Sequence, residues 1–380
     1  MEATIYRGLD GVHIDSSSIS SIDGMKGELV YRGYDIRELA DKASFEEVSY
    51  LLWHDDLPTE SELAEFRESL KPHFAVPDGV LNILKGLPED THPMHAIRTA
   101  VSALGTFDAE AEGVDAHNVR RIGLSLLAKF PTVTAALERI RKGQEPVQPD
   151  PNLSIAGNFL YMLSGEKPSE AATRVMDVAL VLHAEHGSNA STFVARSTAS
   201  TLTDVYSAIT SAVGCLKGPL HGGANAAVMG ALEEIGSVEG VEPYVMNILG
   251  KEGGRVMGFG HRVYRVLDPR AVILKEVSHN LAEESGDSKW FDMSLEMERV
   301  MDREMSKKGK QVKPNVDFFS ASVYRMLGFP RDMYTPIFAV ARIAGWMAHL
   351  YEQYSDNRIM RPRLVYDGPK GKTFTPLSER

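Results

Sequence analysis

Cysteine is all but missing from this chain: Cys215 stands alone among 380 residues, so no internal disulfide can form and a reducing cytoplasm is the expected location. Apolar runs near the ~20 residues that span a bilayer are missing too, and no membrane partner is expected. The opening Met1-Glu2-Ala3-Thr4-Ile5-Tyr6-Arg7 has neither the basic-then-apolar order of a secretory signal nor an Arg- and Ser-rich transit composition. Basic charge does not dominate: 41 Lys and Arg face 52 Asp and Glu, and the net charge of −11 argues against a nucleic-acid surface. There is no internal repeat, and Pro146-Val147-Gln148-Pro149-Asp150-Pro151 reads as a connecting loop rather than a domain linker.

What is present is the composition of a globular protein, 43% apolar and 24% charged, with a length that suits one large domain and a smaller one. Through Tyr34, short Val/Ile/Tyr runs alternate with Gly, Asp and Ser, as in Ile19–Gly24 and Gly27–Gly33, and predict small strands and turns. Beyond them the apolar period is helical. Ser44-Phe45-Glu46-Glu47 is a capping box, and Pro58-Thr59-Glu60-Ser61-Glu62 opens the next helix. Apolar stripes follow at Ile97–Leu104, Ile122–Ile140, Ala171–His183, Leu202–Cys215 and Ile337–Tyr351, so the chain is mainly α. The small residues of Ala171–Ala231 predict closely packed helices at the centre of a bundle or at a subunit interface. After Gly236, glycine turns and basic clusters continue to Lys313 before the apolar pattern resumes. That shift predicts a smaller helical domain, residues 217–317, inserted between the two parts of a large one, 1–216 and 318–380.

Cations are concentrated in places. Arg255, Arg262, Arg265, Arg270 and Lys275 fall close together, Lys307, Lys308, Lys310 and Lys313 follow, and Arg358, Arg361 and Arg363 form a third group. In an acidic protein such clusters suit a small polyanion, although Lys307 and Lys308 fit a solvated helix face equally well.

Three turns present groups that move protons: Gly218-Pro219-Leu220-His221-Gly222-Gly223-Ala224-Asn225, Gly258-Phe259-Gly260-His261-Arg262-Val263-Tyr264, and Lys313-Pro314-Asn315-Val316-Asp317. His221 precedes two glycines and a helix start, a setting that favours an oxyanion and a neutral imidazole. Alone, it reads as a turn histidine capping that helix. Alone, Asp317 reads as an N-cap. Together the three point to proton abstraction. In Leu182-His183-Ala184-Glu185-His186, two histidines three apart on a helix have a spacing that suits a metal, but no Cys cluster and no His-Glu-x-x-His order accompanies them, and no metal is expected.

In this arrangement and order, from about Tyr6 to Gly368, the motifs resemble the active-site signature of the citrate synthase family. The resemblance implies a citrate synthase-like fold, a large helical domain with a smaller inserted one and small N-terminal β elements. It implies an acyltransferase that condenses acetyl-CoA with oxaloacetate and water to citrate and CoA, with His221, His261 and Asp317 as the catalytic set. Asp317 would take the α-proton, His221 would stabilise the enol, and His261 would polarise the keto carbonyl. Oxaloacetate would meet His186, Arg270, Arg342 and Arg361, the last from the neighbouring subunit of a homodimer. CoA would lie along Arg255, Val256, Met257, Gly258 and Gly260, with Arg262, Arg265, Lys307, Lys310 and Lys313 as candidates for its phosphates. No cofactor is implied. The similar 2-methylcitrate synthases, which use propionyl-CoA, share these residues and are the alternative. A non-catalytic binder of CoA or dicarboxylate on the same fold would be expected to have lost one of the three catalytic residues, and a His-based metal hydrolase would need a metal. The long allosteric members carry an extra N-terminal β-domain with an NADH site; this chain resembles the short dimeric type.

Overall fold

A three-stranded antiparallel meander begins the fold, β1 (Ser20–Asp23), β2 (Glu28–Tyr31) and β3 (Tyr34–Asp35), with Ile22 opposite Leu29 and Tyr31 opposite Tyr34. The structure, a computed structural model, describes residues 4–261 and 263–380. Sixteen α-helices follow among the described residues. The first eight are α1 (Ile36–Lys42), α2 (Phe45–His54), α3 (Glu60–Leu70), α4 (Asp78–Lys85), α5 (Pro93–Thr106), α6 (Ala116–Arg141), α7 (Ile155–Ser164) and α8 (Glu170–His183). The rest are α9 (Ala190–Ala199), α10 (Val205–Leu216), α11 (Ala224–Ile235), α12 (Val238–Leu249), α13 (Pro269–Ser285), α14 (Lys289–Lys307), α15 (Val316–Met326) and α16 (Tyr334–Ser355). None is long and apolar enough to cross a membrane.

Local chemistry sets the boundaries. Ser44 and Thr59 each accept from the N3 backbone while Glu47 and Glu62 reach back, two complete capping boxes that begin α2 and α3 and contribute on the order of 1 kcal/mol each. Gly165, Gly236 and Gly286 end α7, α11 and α13 in the left-handed conformation. The stripe from Leu202 behaves differently from expectation: α10 starts at Val205, because Asp204 caps it through Ser207 N while Leu202 itself sits at φ +61°.

α16 is the axis of the core. Nearly every residue from Tyr334 to Leu350 is buried, and it packs against α2, α6, α8, α9 and α10. Small residues on it (Ala339, Ala341, Ala344, Gly345, Ala348) admit the neighbouring backbones, while Trp346 fills the remaining space. The stretch rich in small residues supplies α8–α10, and α9 lies closely along α10. A second group forms around α15, which packs on α11, α13 and α14, with α12 on α14. α13 also touches α1 and α8, and α11 touches α16. The sequence motifs lie where these groups meet.

Candidate active site

The segment after α12 and the segment before α15 are joined by backbone pairing. Phe259 bridges Pro314, Gly260 N donates to Lys313 O (2.9 Å), and Asn315 N donates to Gly258 O (2.9 Å). Asn315 Nδ2 adds a bond to Gly260 O (2.9 Å). Gly258 is required here: at φ +80° it lies 2.7 Å, measured from an added Cβ, from Val228 and 2.8 Å from Phe318. This pairing brings the His261 loop to the first turn of α15.

Asp317 is not the cap of that helix. Asn315 caps it, accepting from Asp317 N at 3.0 Å, and the helix starts at Val316. The aspartate side chain is thereby released from structural duty. Its Oδ1 is buried without a hydrogen bond, and burial, with the Asp268 carboxylate adding to it and Arg270 and Arg342 opposing, pushes the carboxyl up to about 7. A desolvated carboxyl balanced near neutrality suits a general base.

Both histidines of the set are fixed in one neutral tautomer. His261 Nδ1 accepts from Val263 N (3.0 Å) and Tyr264 N (3.1 Å), so the proton resides on Nε2. Burial and the Arg270 charge lower its pKa to about 4. His221 sits in a turn closed by His221 N to Gly218 O (2.9 Å) and pinned by Thr335 Oγ1 to Gly222 O (3.0 Å). It does not cap α11. Its Nε2 accepts from Ser191 N (3.3 Å) and lies 2.8 Å from Ser191 Oγ, which leaves the proton on Nδ1. Ser191 is in the first turn of α9, whose Asn189 cap and Trp346 indole (3.1 Å) hold the hydroxyl. The positive end of α9 thus disfavours the imidazolium, and burial with Arg342 takes His221 down to about 4.

Around these groups lie two buried guanidiniums. Arg270 makes a fork with Asp268, Nη2 to Oδ2 at 2.8 Å and Nε to Oδ1 at 3.1 Å, with both side chains about as inaccessible as any in the protein. Burial alone would raise Asp268; the Arg270 charge and hydrogen bonds hold it below the usual carboxylate range. Arg342, only 1% exposed, donates Nε to His183 O (2.7 Å) and stacks on Phe338. Among the described residues no carboxylate lies within ion-pair distance of it, and burial depresses it to about 10. A buried guanidinium without a carboxylate partner suits an anion.

His183 and His186 do not share a helical face as expected, because α8 ends at His183. His183 is fully buried, its Nδ1 bonded to Ala179 O (2.7 Å) and its ring against Phe338, a core histidine. His186 turns toward the cleft, with Nε2 3.3 Å from Tyr264 Oη and its ring 5.3 Å from that of His261. Burial and the surrounding Arg270, His261, Arg342 and His221 hold it well below an ordinary histidine. His186 therefore belongs to the same cluster as the catalytic candidates.

The candidates for CoA are a looser group. Arg255, Met257, Arg265 and Lys310 are exposed, Val256 is buried, and Lys307 and Lys313 hold Glu304 and Asp302. Arg262 lies outside the described residues. Arg361 is exposed in the segment after α16. The sequence reading did not single out Asp268, Ser191, Asn189, Tyr264 or Trp346; all but the hydroxyl pairings were visible only as neighbours of the assigned residues.

The citrate synthase, C-terminal domain family matches residues 8–363. Citrate synthase 2 of Bacillus subtilis is 50% identical over 378 residues, covering 99% of this chain and 100% of its own. The chain belongs to the citrate synthase family. A citrate synthase of Thermoplasma acidophilum, solved with carboxymethyl coenzyme A and oxaloacetate, superposes with a TM-score of 0.94 at 34% identity, over 99% of this chain and 100% of that one. A 2-methylcitrate synthase of Corynebacterium glutamicum is 42% identical over 99% of this chain and 98% of its own. The mainly α fold with its small N-terminal sheet is that of the citrate synthases, a family of acyltransferases.

Proposed function

We propose that this protein condenses acetyl-CoA with oxaloacetate and water to give citrate and CoA. The observation that carries this reading is the set of unspent groups in one cleft: the buried, unbonded carboxyl of Asp317, two neutral imidazoles with defined donor atoms, and the unpaired Arg342 guanidinium. Asp317 takes a proton from the carbon beside the thioester. The Nδ1–H of His221 donates to the thioester oxygen as it becomes an enol, a contribution of roughly 3–4 kcal/mol for one such donor in a dry site. The Nε2–H of His261 polarises the keto carbonyl of oxaloacetate and passes its proton to that oxygen as the new carbon–carbon bond forms, and the proton taken by Asp317 returns through solvent to restore the imidazole. Water then cleaves the thioester, its hydroxyl going to the acyl carbon and its proton to the departing thiolate. Arg270, Arg342 and His186 bind the keto acid, and the basic residues around Arg255, Lys310 and Lys313 face CoA. No step needs a cofactor.

The test is release of free CoA thiol from acetyl-CoA at fixed oxaloacetate, beside the same assay with propionyl-CoA. Higher kcat/KM with acetyl-CoA is expected. Higher kcat/KM with propionyl-CoA would make the protein a 2-methylcitrate synthase, a choice that one methylene decides by about 1–3 kcal/mol. Absence of thiol release with both acyl-CoAs would remove the reading.

We also propose a cytoplasmic homodimer whose sites are shared, with residues 217–317 closing on the rest around oxaloacetate and Arg361 reaching the neighbour's keto acid. Mixed Arg361→Ala and Asp317→Asn subunits, each inactive alone, should regain activity, because one of the two sites in a mixed dimer has both residues. No regain after subunit exchange is verified by mass would confine Arg361 to its own chain.

A further inference from the structure

Behind the keto-acid side of the cleft lies a buried carboxylate–imidazole pair to which no substrate contact is assigned. The side chains of Glu185 and His349 are 0% and 2% exposed, with His349 Nε2 3.0 Å from Glu185 Oε1. The same oxygen accepts from Ser20 Oγ on β1 (2.9 Å) and from the backbone N–H of Gly187. One hydroxyl holds both ends of the residue: Tyr31 Oη, on β2, accepts from Glu185 N (3.3 Å) and donates to Glu185 O (2.8 Å). α16 is shaped to admit the group, since a Cβ on Gly345 would stand 2.3 Å from Ala184 O and 2.4 Å from Glu185 Oε2.

A buried carboxylate bonded to an imidazole is an expensive way to fill space, because apolar side chains of equal volume are often as stable. Position explains it better. Residues 184–189 are the break between α8 and α9; they carry His186 toward the cleft and end in Asn189, which accepts from the Ser191 hydroxyl, and Ser191 holds His221. On the opposite wall, Arg342, Gly345 and His349 recur at i, i+3 and i+7 along one face of α16. Glu185 is thus clasped between the segment that presents His186 and the helix that presents Arg342. Arg342 in turn donates to His183 O, just ahead of that break. Burial alone would raise the carboxyl of Glu185; His349, Arg342 and Ser20 outweigh it and keep it ionised.

We propose that Glu185 and His349 are positioning residues for the keto acid: without touching it, they fix the spacing of His186 and Arg342, the two groups that grip it. This rests on the assignment of His186 and Arg342 to oxaloacetate. The pair also ties the N-terminal sheet to the site, through Ser20 and Tyr31.

The experiment measures oxaloacetate binding by calorimetry, and steady-state turnover, for the wild-type protein and for His349→Gln, His349→Leu, Glu185→Gln and Ser20→Ala. A glutamine can place an N–H near the Nε2 position, so His349→Gln should keep the oxaloacetate Kd within about threefold, whereas His349→Leu and Glu185→Gln should weaken it at least about tenfold. Their kcat at saturating oxaloacetate should fall less than about threefold, and the KM for acetyl-CoA should hold. Ser20→Ala, a surface-side trim of the same carboxylate, should weaken oxaloacetate a few-fold and covers the case in which Glu185→Gln fails to fold. Unchanged oxaloacetate Kd in folded His349→Leu overturns the proposal, as does equal impairment of His349→Gln and His349→Leu. So does a loss confined to kcat. A wild-type protein that binds oxaloacetate but releases no CoA would instead overturn the condensation reading and leave the binding comparison to decide this one.

Discussion

Two regions of this protein are assigned to anions in our reading, and they are built in opposite ways. At the keto-acid end, Arg270 and Arg342 are buried and held by Asp268 and by the His183 carbonyl. Around the proposed CoA path, Arg255, Arg265 and Lys310 project into solvent, while Lys307 and Lys313 are shared with Glu304 and Asp302. A desolvated, pre-aimed guanidinium interacts strongly and discriminates geometry, whereas exposed lysines add a diffuse, salt-screened attraction worth little each. The small substrate with two carboxylates is therefore expected to be recognised by a few costly residues, and the large one by many cheap ones.

The sharpest break of that comparison is to remove the chemistry while leaving both binding regions alone. Asp317→Asn keeps the shape of the side chain, and the helix keeps its true cap at Asn315. Turnover should fall about 10²–10⁴-fold, while the oxaloacetate Kd measured by calorimetry stays within a few-fold. The native carboxyl lies near 7 against 3.8 for an ordinary aspartate. Activity that depends on its ionised form should therefore fall as pH drops through about 7. The sign for stability is opposite: a raised carboxyl favours the native state below about 3.8, and that contribution is lost as pH rises through about 7. Asp317→Asn should then melt higher than the wild type above pH 7, although it is nearly inactive. Wild-type-like turnover in the variant would end the base assignment.

The second break is aimed at the keto-acid end alone. Arg342→Gln removes the unpaired buried charge and leaves a shorter amide whose nitrogen can take the place of Nε beside His183 O. Oxaloacetate affinity should weaken by about 1.5–3 kcal/mol, roughly 10- to 150-fold, with little change in the KM for acetyl-CoA. A change in acetyl-CoA affinity as large as that in oxaloacetate affinity would show that the two regions are not separable.

How much of this was legible beforehand depends on range. The capping box at Ser44, the helix start after Pro58, the helix stripes and the small N-terminal strands were all local, and the structure has them, with the stripe from Leu202 beginning its helix only at Val205. The proton-moving residues were legible as a constellation, because each follows a turn whose Gly or Pro marks an irregular backbone. Asp317 shows the limit of reading one residue. Locally it looks like a cap, and only the folded loop, where Asn315 Oδ1 accepts from Asp317 N while Asn315 also pairs with Gly258 and Gly260, shows that Asn315 has that duty. The spacing of His183 and His186 misled for a similar reason: three residues mean one helical face only while the helix continues, and nothing local to Ala184 announces that it stops. Glu185 was out of reach of sequence reasoning, since its partners Ser20, Tyr31 and His349 are 165, 154 and 164 residues away.

The smallest effect belongs to the CoA end, and its size sharpens the contrast most. Lys310→Ala removes one exposed cation without disturbing a buried group. An exposed charge contributes up to about 1 kcal/mol, so the KM for acetyl-CoA should rise no more than about fivefold at low ionic strength. That rise should shrink toward nothing near 0.5 M salt, where the screening length is only a few ångströms. The Arg342→Gln defect should persist at the same salt, because a desolvated site is poorly screened. If the Lys310→Ala defect survives high salt undiminished, Lys310 makes a fixed, partly desolvated bond to CoA in the closed protein. The large substrate is then gripped by the same means as the small one, and the division between costly and cheap recognition fails at that residue.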